Sequence, residues 1–371
     1  MMPAATIVGA GIAGLTAALA LTQRGSVVTV LERAPELAEV GAGIQISPNA
    51  GRVLDALGLG PGLDAVSLRS RGVRLWNSAG KPVATLDFLR HRPDAPFRLI
   101  HRARLIEVLA EAISKAGVIL RLGERVETLP DVGLLVGADG LQSRVRRELN
   151  GTEAPFFTGQ TAWRAVIDDP DPQPEVWVDA FLGPGRHLVS YPLANNLRNI
   201  VAVEERAEWQ EEGWSQPGDP AQLRSAFASF RGPVPGWLDA VHDAHLWGLF
   251  RHRVAPRWHD DNRVLIGDAA HPTLPFMAQG AAMAIEDAWA LAACLGTDPD
   301  QAKALARYQV LRQDRCTRIV AMGDANARHY HLGGLRQRVA HAALRSASTF
   351  RPSFLLSRFD WIYDHDPIAG V

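Results

Sequence analysis

The feature that most constrains the chain is Gly9-x-Gly11-x-x-Gly14. It sits between an apolar run, Ala4 to Gly9, and an Ala/Leu-rich stretch, Ile12 to Arg24, that reads as a helix. Glycines at this spacing permit a tight turn, close backbone approach to a diphosphate, and close packing of helix on strand. The helix beginning beside Ala13 offers free N–H groups and the positive end of its dipole to an anion. Gly25 stands where the helix should end, and Val27 to Glu32 reads as a second buried strand. The unit is therefore β-α-β, because parallel strands need a crossover helix. Glu32 closes the second strand, where a carboxylate can accept from ribose hydroxyls. A plain α/β domain could carry the same glycines, but the acidic residue at that point makes the stretch a dinucleotide fingerprint.

Two later stretches extend the pattern. Gly137-Ala138-Asp139-Gly140, followed by Ser143 and Arg146, ends the apolar run LLVG; alone, such an Asp-Gly pair is an ordinary turn. Gly267-Asp268-Ala269-Ala270-His271-Pro272 ends another strand-like run. It leads through Pro275, Phe276, Gln279 and Gly280 into the helical stretch MAIEDAWALAACL. A carboxylate at a strand end suits a polyol chain, and a helix N-terminus favours negative charge on a ring system held against it.

Between these stretches the pattern changes. Residues 48–57 and 102–116 read as helices and VILRLGERVETL as strands, while Gly72 to Phe88 alternates as a hairpin turning near Ala79-Gly80. From about Gly159 to Phe250, strand-like segments carrying Trp163, Trp177, Phe181 and Tyr191 are broken by Gly and Pro, as in an antiparallel sheet. At 371 residues and 47% hydrophobic content, the chain exceeds one ordinary core. We expect an α/β architecture in which a Rossmann-like nucleotide domain is interleaved with an antiparallel-sheet substrate domain and followed by a helical tail. The expected division is 1–71, 97–158 and 255–330 for the nucleotide domain, 72–96 and 159–254 for the substrate domain, and 331–371 for the tail.

A net charge of −1 with no long basic run gives no sign of a nucleic-acid partner. Two cysteines, Cys294 and Cys316, form no metal or redox spacing, and His101, His242, His245 and His252 form no ligand grouping; no metal is assigned. The start of the chain has no leader pattern and no uncharged stretch is long enough to span a bilayer, so a soluble, cytoplasmic protein is expected. Arg336, Arg338, Arg345 and Arg351 in the tail leave membrane association as an alternative.

GAGIAG, GAGIQISPNA, GADG, GDAAHP and AQGAAMAIEDA occur in this order, and the chain ends in FDWIYDHD and a short tail. Together they resemble the single-component FAD-dependent aromatic hydroxylases, the para-hydroxybenzoate hydroxylase group. The resemblance is nearest to the branch holding salicylate hydroxylase, 3-hydroxybenzoate 6-hydroxylase and 6-hydroxynicotinate 3-monooxygenase, and it covers nearly the whole chain. It implies a glutathione-reductase-type FAD domain and an enzyme using NADH or NADPH, O2 and a small aromatic substrate, phenolic or N-heteroaromatic. Oxygen would reach the ring through a flavin C4a-hydroperoxide. It further implies that Gly9, Gly11, Ala13 and Gly14 form the diphosphate turn and that Glu32 and Arg33 meet the adenosine end. Gln45 would lie by the isoalloxazine and Arg102 by the ribityl phosphate. Asp139 would belong to the motif tied to FAD and nicotinamide binding. Asp268 would hold the ribityl chain, and Pro275 and the backbone at Gln279 and Gly280 would line the ring. Two positions depart from the pattern: Arg104 stands where the family has aspartate, and Ala282 where it has asparagine.

His187 and Tyr191, four apart on a strand, point to the same side. Periodicity places them without saying anything of chemistry, and both could be plain sheet residues. The resemblance implies that they contact a phenol, with His187 as its base, for which an ordinary histidine pKa is suited. Phe276 would be a pocket position that cannot hydrogen-bond. His271 is read as structural, Trp163 and Arg164 as anchors between the two domains, and Arg71, Arg74 and Arg90 as solvated rather than substrate-binding. An epoxidase on the same scaffold and a non-catalytic flavin sensor remain as alternatives. A flavin halogenase is disfavoured by the lack of a W-x-W-x-I-P stretch.

Overall fold

The computed structural model describes residues 2–37, 42–209 and 216–370. A five-stranded sheet runs in the order Arg263–Leu265, Leu134–Gly137, Ala5–Val8, Val28–Leu31 and Ile119–Arg121, and every pairing in it is parallel. Its central strands are buried on both faces, as parallel sheets require. Helix Ile12–Thr22 is buried almost all round because it packs against helix Gly280–Thr297 as well as the sheet. This is the α/β nucleotide-binding architecture expected from the glycine turn. The stretch 118–129, read as strands, forms only Ile119–Arg121. That strand lies at the sheet edge beside Val28–Leu31, and once the partner ends the chain turns, with Gly123 and Glu124 donating to the carbonyls of Ala34 and Glu32.

The larger sheet has eight strands, in the order Gln216–Gly218, Ala244–Arg251, Phe156–Asp168, Leu197–Glu205, Arg186–Leu193, Trp177–Gly183, Gly72–Asn77 and Pro82–Asp87. It is antiparallel except where Gly72–Asn77 pairs parallel with Trp177–Gly183. That exception arises because the hairpin turning at Gly80 reaches the sheet from a much earlier part of the chain. Strand alternation sorts the sheet's two faces. Trp163, Ala165, Ile167, Leu188, Ile200 and Ala202 pack against the short helices Pro220–Ala226 and Val234–Asp239. Arg164, His187, Val189, Tyr191 and Val201 point the other way, toward the parallel sheet. A small sheet of Gly43–Ile46, Phe97–His101 and Ser67–Ser70 lies alongside.

The chain continues through helices Gln301–Tyr330, Gly334–Phe350 and Pro352–Ser357. Helix Gly334–Phe350 covers the free edge of the large sheet. There Ser348 Oγ accepts from Thr85 N at 2.9 Å and donates to Thr85 O at 3.2 Å, replacing a missing strand. Among the described residues, no helix is long and apolar enough to cross a membrane.

Candidate active site

The glycine turn is built for close approach. Gly9 has φ +103°, and a Cβ there would lie 2.4 Å from Ala138 O; a Cβ on Gly14 would lie 1.9 Å from Gly9 O. A Cβ on Gly11 would meet nothing within 4 Å. Gly9 and Gly14 are therefore required by packing, whereas Gly11 faces open space, as a cradle for a diphosphate does. Helix Ile12–Thr22 has no side-chain cap at this end, so its first N–H groups point outward. The Glu32 carboxylate accepts from Ala10 N at 2.7 Å and Ala34 N at 2.9 Å, bracing the turn with lone pairs left over. Arg33 is exposed beside it.

Asp139 faces away from this space. Its carboxylate accepts from Ser143 Oγ and from Arg144 N at 2.7 Å, while Ser143 caps helix Arg144–Asn150. The group shapes the Asp-Gly turn, and its neighbours Gly140 and Leu141 are the residues that line the cavity.

One cavity of about 880 Å³ runs from Gly11 and Ala13 past Gln45, Arg102 and Asp268, along Pro275, Phe276 and Gly280, to His187 and Tyr191. It thus joins the sites expected for a cofactor with those expected for a substrate. The Asp268 carboxyl is pushed up by burial, with the charges of His271 and Arg102 opposing, and accepts no hydrogen bond from the described residues. Ala278, in the left-handed region at φ +51°, ends a one-turn helix so that Gly280–Thr297 starts against the cavity with no side-chain cap. Gln279 is not among the residues that line the cavity; its side chain turns inward, donating to Ser47 Oγ at 3.0 Å and accepting from Asn49 at 3.2 Å.

Behind this wall lies a buried charged network. Glu286 pairs with Arg312 and Arg315, and Asp287 with Arg312 and His271. Burial would raise the Glu286 pKa, but the two arginines hold it at about 2. His271 does not line the cavity, in keeping with a structural role. His271, Asp287 and Cys316 place three potential ligand atoms within 4.8 Å of one another. Arg312 already supplies the positive charge there, with Nε 2.8 Å from Asp287 and Nη2 3.5 Å from Cys316, so a cation does not fit.

In the sheet half of the cavity, His187 and Tyr191 share one wall, as their spacing implied. His187 is 2% exposed, with the rings of Phe276 and Tyr330 5.3 Å and 5.2 Å away. Burial, then the neighbouring His331, pushes its pKa well below the usual value. Burial pushes the Tyr191 phenol up, and the Arg164 charge pulls it back. The anchoring role read for Trp163 is corrected. Trp163 faces the far side of the sheet, and Arg164 lies on the cavity wall, 4.3 Å from the Trp247 ring centroid. Arg74 is engaged bidentately by Asp179 and Arg71 by Asp87 and Glu175, all outside the cavity, and Arg90 is exposed. Neither departure lines the cavity, although Arg102 and Ala281 beside them do: Arg104 pairs with Glu107 on an exposed helix face, and Ala282 packs in the core.

The chain matches the FAD binding domain family over residues 2–133 and 131–323. It is 36% identical to a 3-amino-4-hydroxybenzoate 2-monooxygenase of Streptomyces platensis, over 97% of this chain and 96% of the relative. It is 34% identical to 3-hydroxybenzoate 6-hydroxylase 1 of Aquipseudomonas alcaligenes, over 98% of both. This chain belongs to the FAD-dependent aromatic monooxygenases. The fold agrees with a salicylate hydroxylase substrate complex, with a TM-score of 0.82 at 23% identity over 99% of this chain and 97% of that one. FAD fits this monooxygenase on its own geometry: an open glycine cradle, two uncapped helix N-termini and a carboxyl with no hydrogen-bond partner among the described residues lie along one cavity.

Several wall residues of the monooxygenase were not singled out from sequence. Met322, Asn326 and Tyr330 line the cavity from helix Gln301–Tyr330 at helical spacing, a periodicity visible in the sequence. Ala340, His341, Leu344 and Leu355 bring the C-terminal tail to the cavity, and no local pattern marked them. His331 and Glu205, which contact His187 in series, were missed because the three lie far apart in the chain.

Proposed function

We propose that the substrate is a phenolic aromatic acid, held with its hydroxyl toward His187 and its carboxylate toward Arg164. The observation that carries this reading is a neutral histidine and a guanidinium on the walls of an otherwise largely apolar cavity. The hydroxybenzoates named for the relatives support it. In this reading the turn at Gly9, Gly11, Ala13 and Gly14 takes the cofactor diphosphate, with Glu32 and Arg33 at the adenosine end and Asp139 shaping the second turn. Gln45, Pro275 and Gly280 border the isoalloxazine, while Arg102 and Asp268 hold the ribityl phosphate and ribityl chain. Bound FAD stores the electrons of NADH or NADPH and activates O2.

The protein's own work is to orient the ring, exclude water and move a proton. His187 takes the phenolic proton, because a phenolate ring is far more electron-rich than a phenol. Phe276, Trp247 and Leu249 keep the site apolar, which limits unproductive decay of the activated oxygen. Arg164 favours an anion on the ring, as it does on the neighbouring Tyr191 phenol.

The test is NAD(P)H and O2 consumption with product analysis across hydroxybenzoates, aminohydroxybenzoates, their methyl ethers and N-heteroaromatic acids. Hydroxylation of free phenols, with no added reductase, is expected. Equal turnover of the methyl ethers would remove the base from the mechanism, and a strict need for a reductase would overturn the single-component reading.

A further inference from the structure

His187 is the first member of a buried chain that ends in solvent. Its Nδ1 lies 2.8 Å from His331 Nε2, and His331 Nδ1 lies 2.8 Å from Glu205 Oε1. His187 is 2% exposed and His331 8%, whereas the Glu205 side chain is 56% exposed. The backbone holds the three segments together. Gly185, two residues before His187, donates to His331 O at 3.1 Å and accepts from Glu205 N at 2.9 Å. Arg186 and Tyr330 are the other ionisable groups around the pair; Arg186 donates to Ala226 O, and Tyr330 stacks edge-on to His187.

The hydrogen bonds set the tautomers. A carboxylate only accepts, so His331 Nδ1 carries the proton directed at Glu205. A neutral His331 then accepts at Nε2, and His187 must carry its proton on Nδ1. That leaves the lone pair of His187 on Nε2. This atom has no protein partner among the described residues, and its ring lines the cavity.

We propose that His187, His331 and Glu205 form a proton relay between the cavity and solvent, with His331 and Glu205 as positioning and transfer residues. The proposal rests on His187 being the phenol base. The phenol O–H breaks as His187 Nε2–H forms. His187 Nδ1–H passes to His331 Nε2, His331 Nδ1–H passes to Glu205 Oε1, and Glu205 gives a proton to water. One proton leaves, the substrate becomes an anion, and no electron moves. Both rings end with the proton on Nε2. When the product oxygen is reprotonated, the same steps in reverse restore them, so the relay resets within one turnover.

Two measurements test this. In the purified holoenzyme with 15N-labelled histidine, both His187 and His331 are expected as Nδ1–H tautomers at neutral pH, assigned with His187→Gln and His331→Gln. An Nε2–H tautomer at His187 would overturn the relay. Proton release is then followed with a pH indicator on mixing the holoenzyme with the phenol most readily hydroxylated in the panel above, beginning with 3-amino-4-hydroxybenzoate. Glu205→Gln and His331→Gln are expected to slow release by at least about tenfold, within what a lost proton-transfer group costs. The residual rate should rise with buffer concentration, and Glu205→Asp should recover part of the loss. Release at the wild-type rate in both variants, with His187→Gln slow, would sink the relay and leave the base. Wild-type release in His187→Gln would instead sink the base reading.

Discussion

Two buried histidines, one on the cavity wall and one behind it, have their pKa values pushed in opposite directions. His271, 0% exposed, sits among ions: its Nε2 meets Asp287, and Arg312 and Glu286 continue the network. Burial alone would depress its pKa, but the acidic groups beside it, Cys316 and Asp287, raise it well above the ordinary value. His187, 2% exposed, sits among rings, and burial with a histidine neighbour lowers its pKa well below that value. Burial is common to both, so the neighbours decide the direction of the shift. The charged wall ties helix Gly280–Thr297 to helix Gln301–Tyr330 through ion pairs. The apolar wall disfavours the charged form of its histidine.

The largest expected effect comes from breaking the charged wall. Arg312→Met leaves Glu286 and Asp287 buried with half their compensation. A loss of about 3–5 kcal/mol is expected, read by urea or thermal unfolding. A loss under about 1 kcal/mol would mean that the network is not what holds this wall. At the apolar wall, His187→Gln is expected to lower hydroxylation by about 10²–10⁴-fold, with FAD content unchanged and more NAD(P)H diverted to peroxide. Comparable losses of FAD and product would place His187 in cofactor binding instead.

The pH dependence sharpens the contrast because the two histidines act with opposite sign. The raised pKa of His271 contributes stability that is present below the unfolded value, about 6.5, and lost as pH rises through the folded one. The depressed pKa of His187 contributes stability that is present above about 6.5 and lost as pH falls toward the folded value. The Tm of His187→Gln relative to wild type should therefore rise as pH is lowered from 7 to 5. A difference independent of pH would show that His187 titrates normally.

Smaller effects concern single contacts. Asp268→Ala should weaken FAD binding by roughly tenfold, the cost of one good hydrogen bond from a buried carboxyl, with the fold retained. Flavin titration measures it, and unaltered affinity would remove Asp268 from the ribityl site. Tyr191→Phe keeps the ring and should raise KM a few-fold, about 1 kcal/mol or less of substrate orientation, with kcat nearly unchanged.

The parts legible in the sequence are those whose physics is local. Gly9, Gly11 and Gly14 name a turn because a Cβ at Gly9 or Gly14 collides with backbone a few residues away or on the adjacent strand, and only glycine avoids it. The two-residue period alone put His187 and Tyr191 on one face, and the hairpin turn at Gly80 and the helix over 102–116 followed from the same kind of pattern. What the tertiary structure decided is every property set by neighbours distant in sequence. Sheet alternation turned Trp163 away and Arg164 inward, but only the packing of two layers said which side was the cavity. The tail, compositionally a basic helix, became a cavity wall because its helix caps the edge strand Pro82–Asp87. Nothing near His187 in the chain shows what its Nδ1 faces. His331, and Glu205 behind it, supply that through hydrogen bonds spanning 144 and 126 residues, and a histidine's chemistry belongs to whatever faces its two nitrogens.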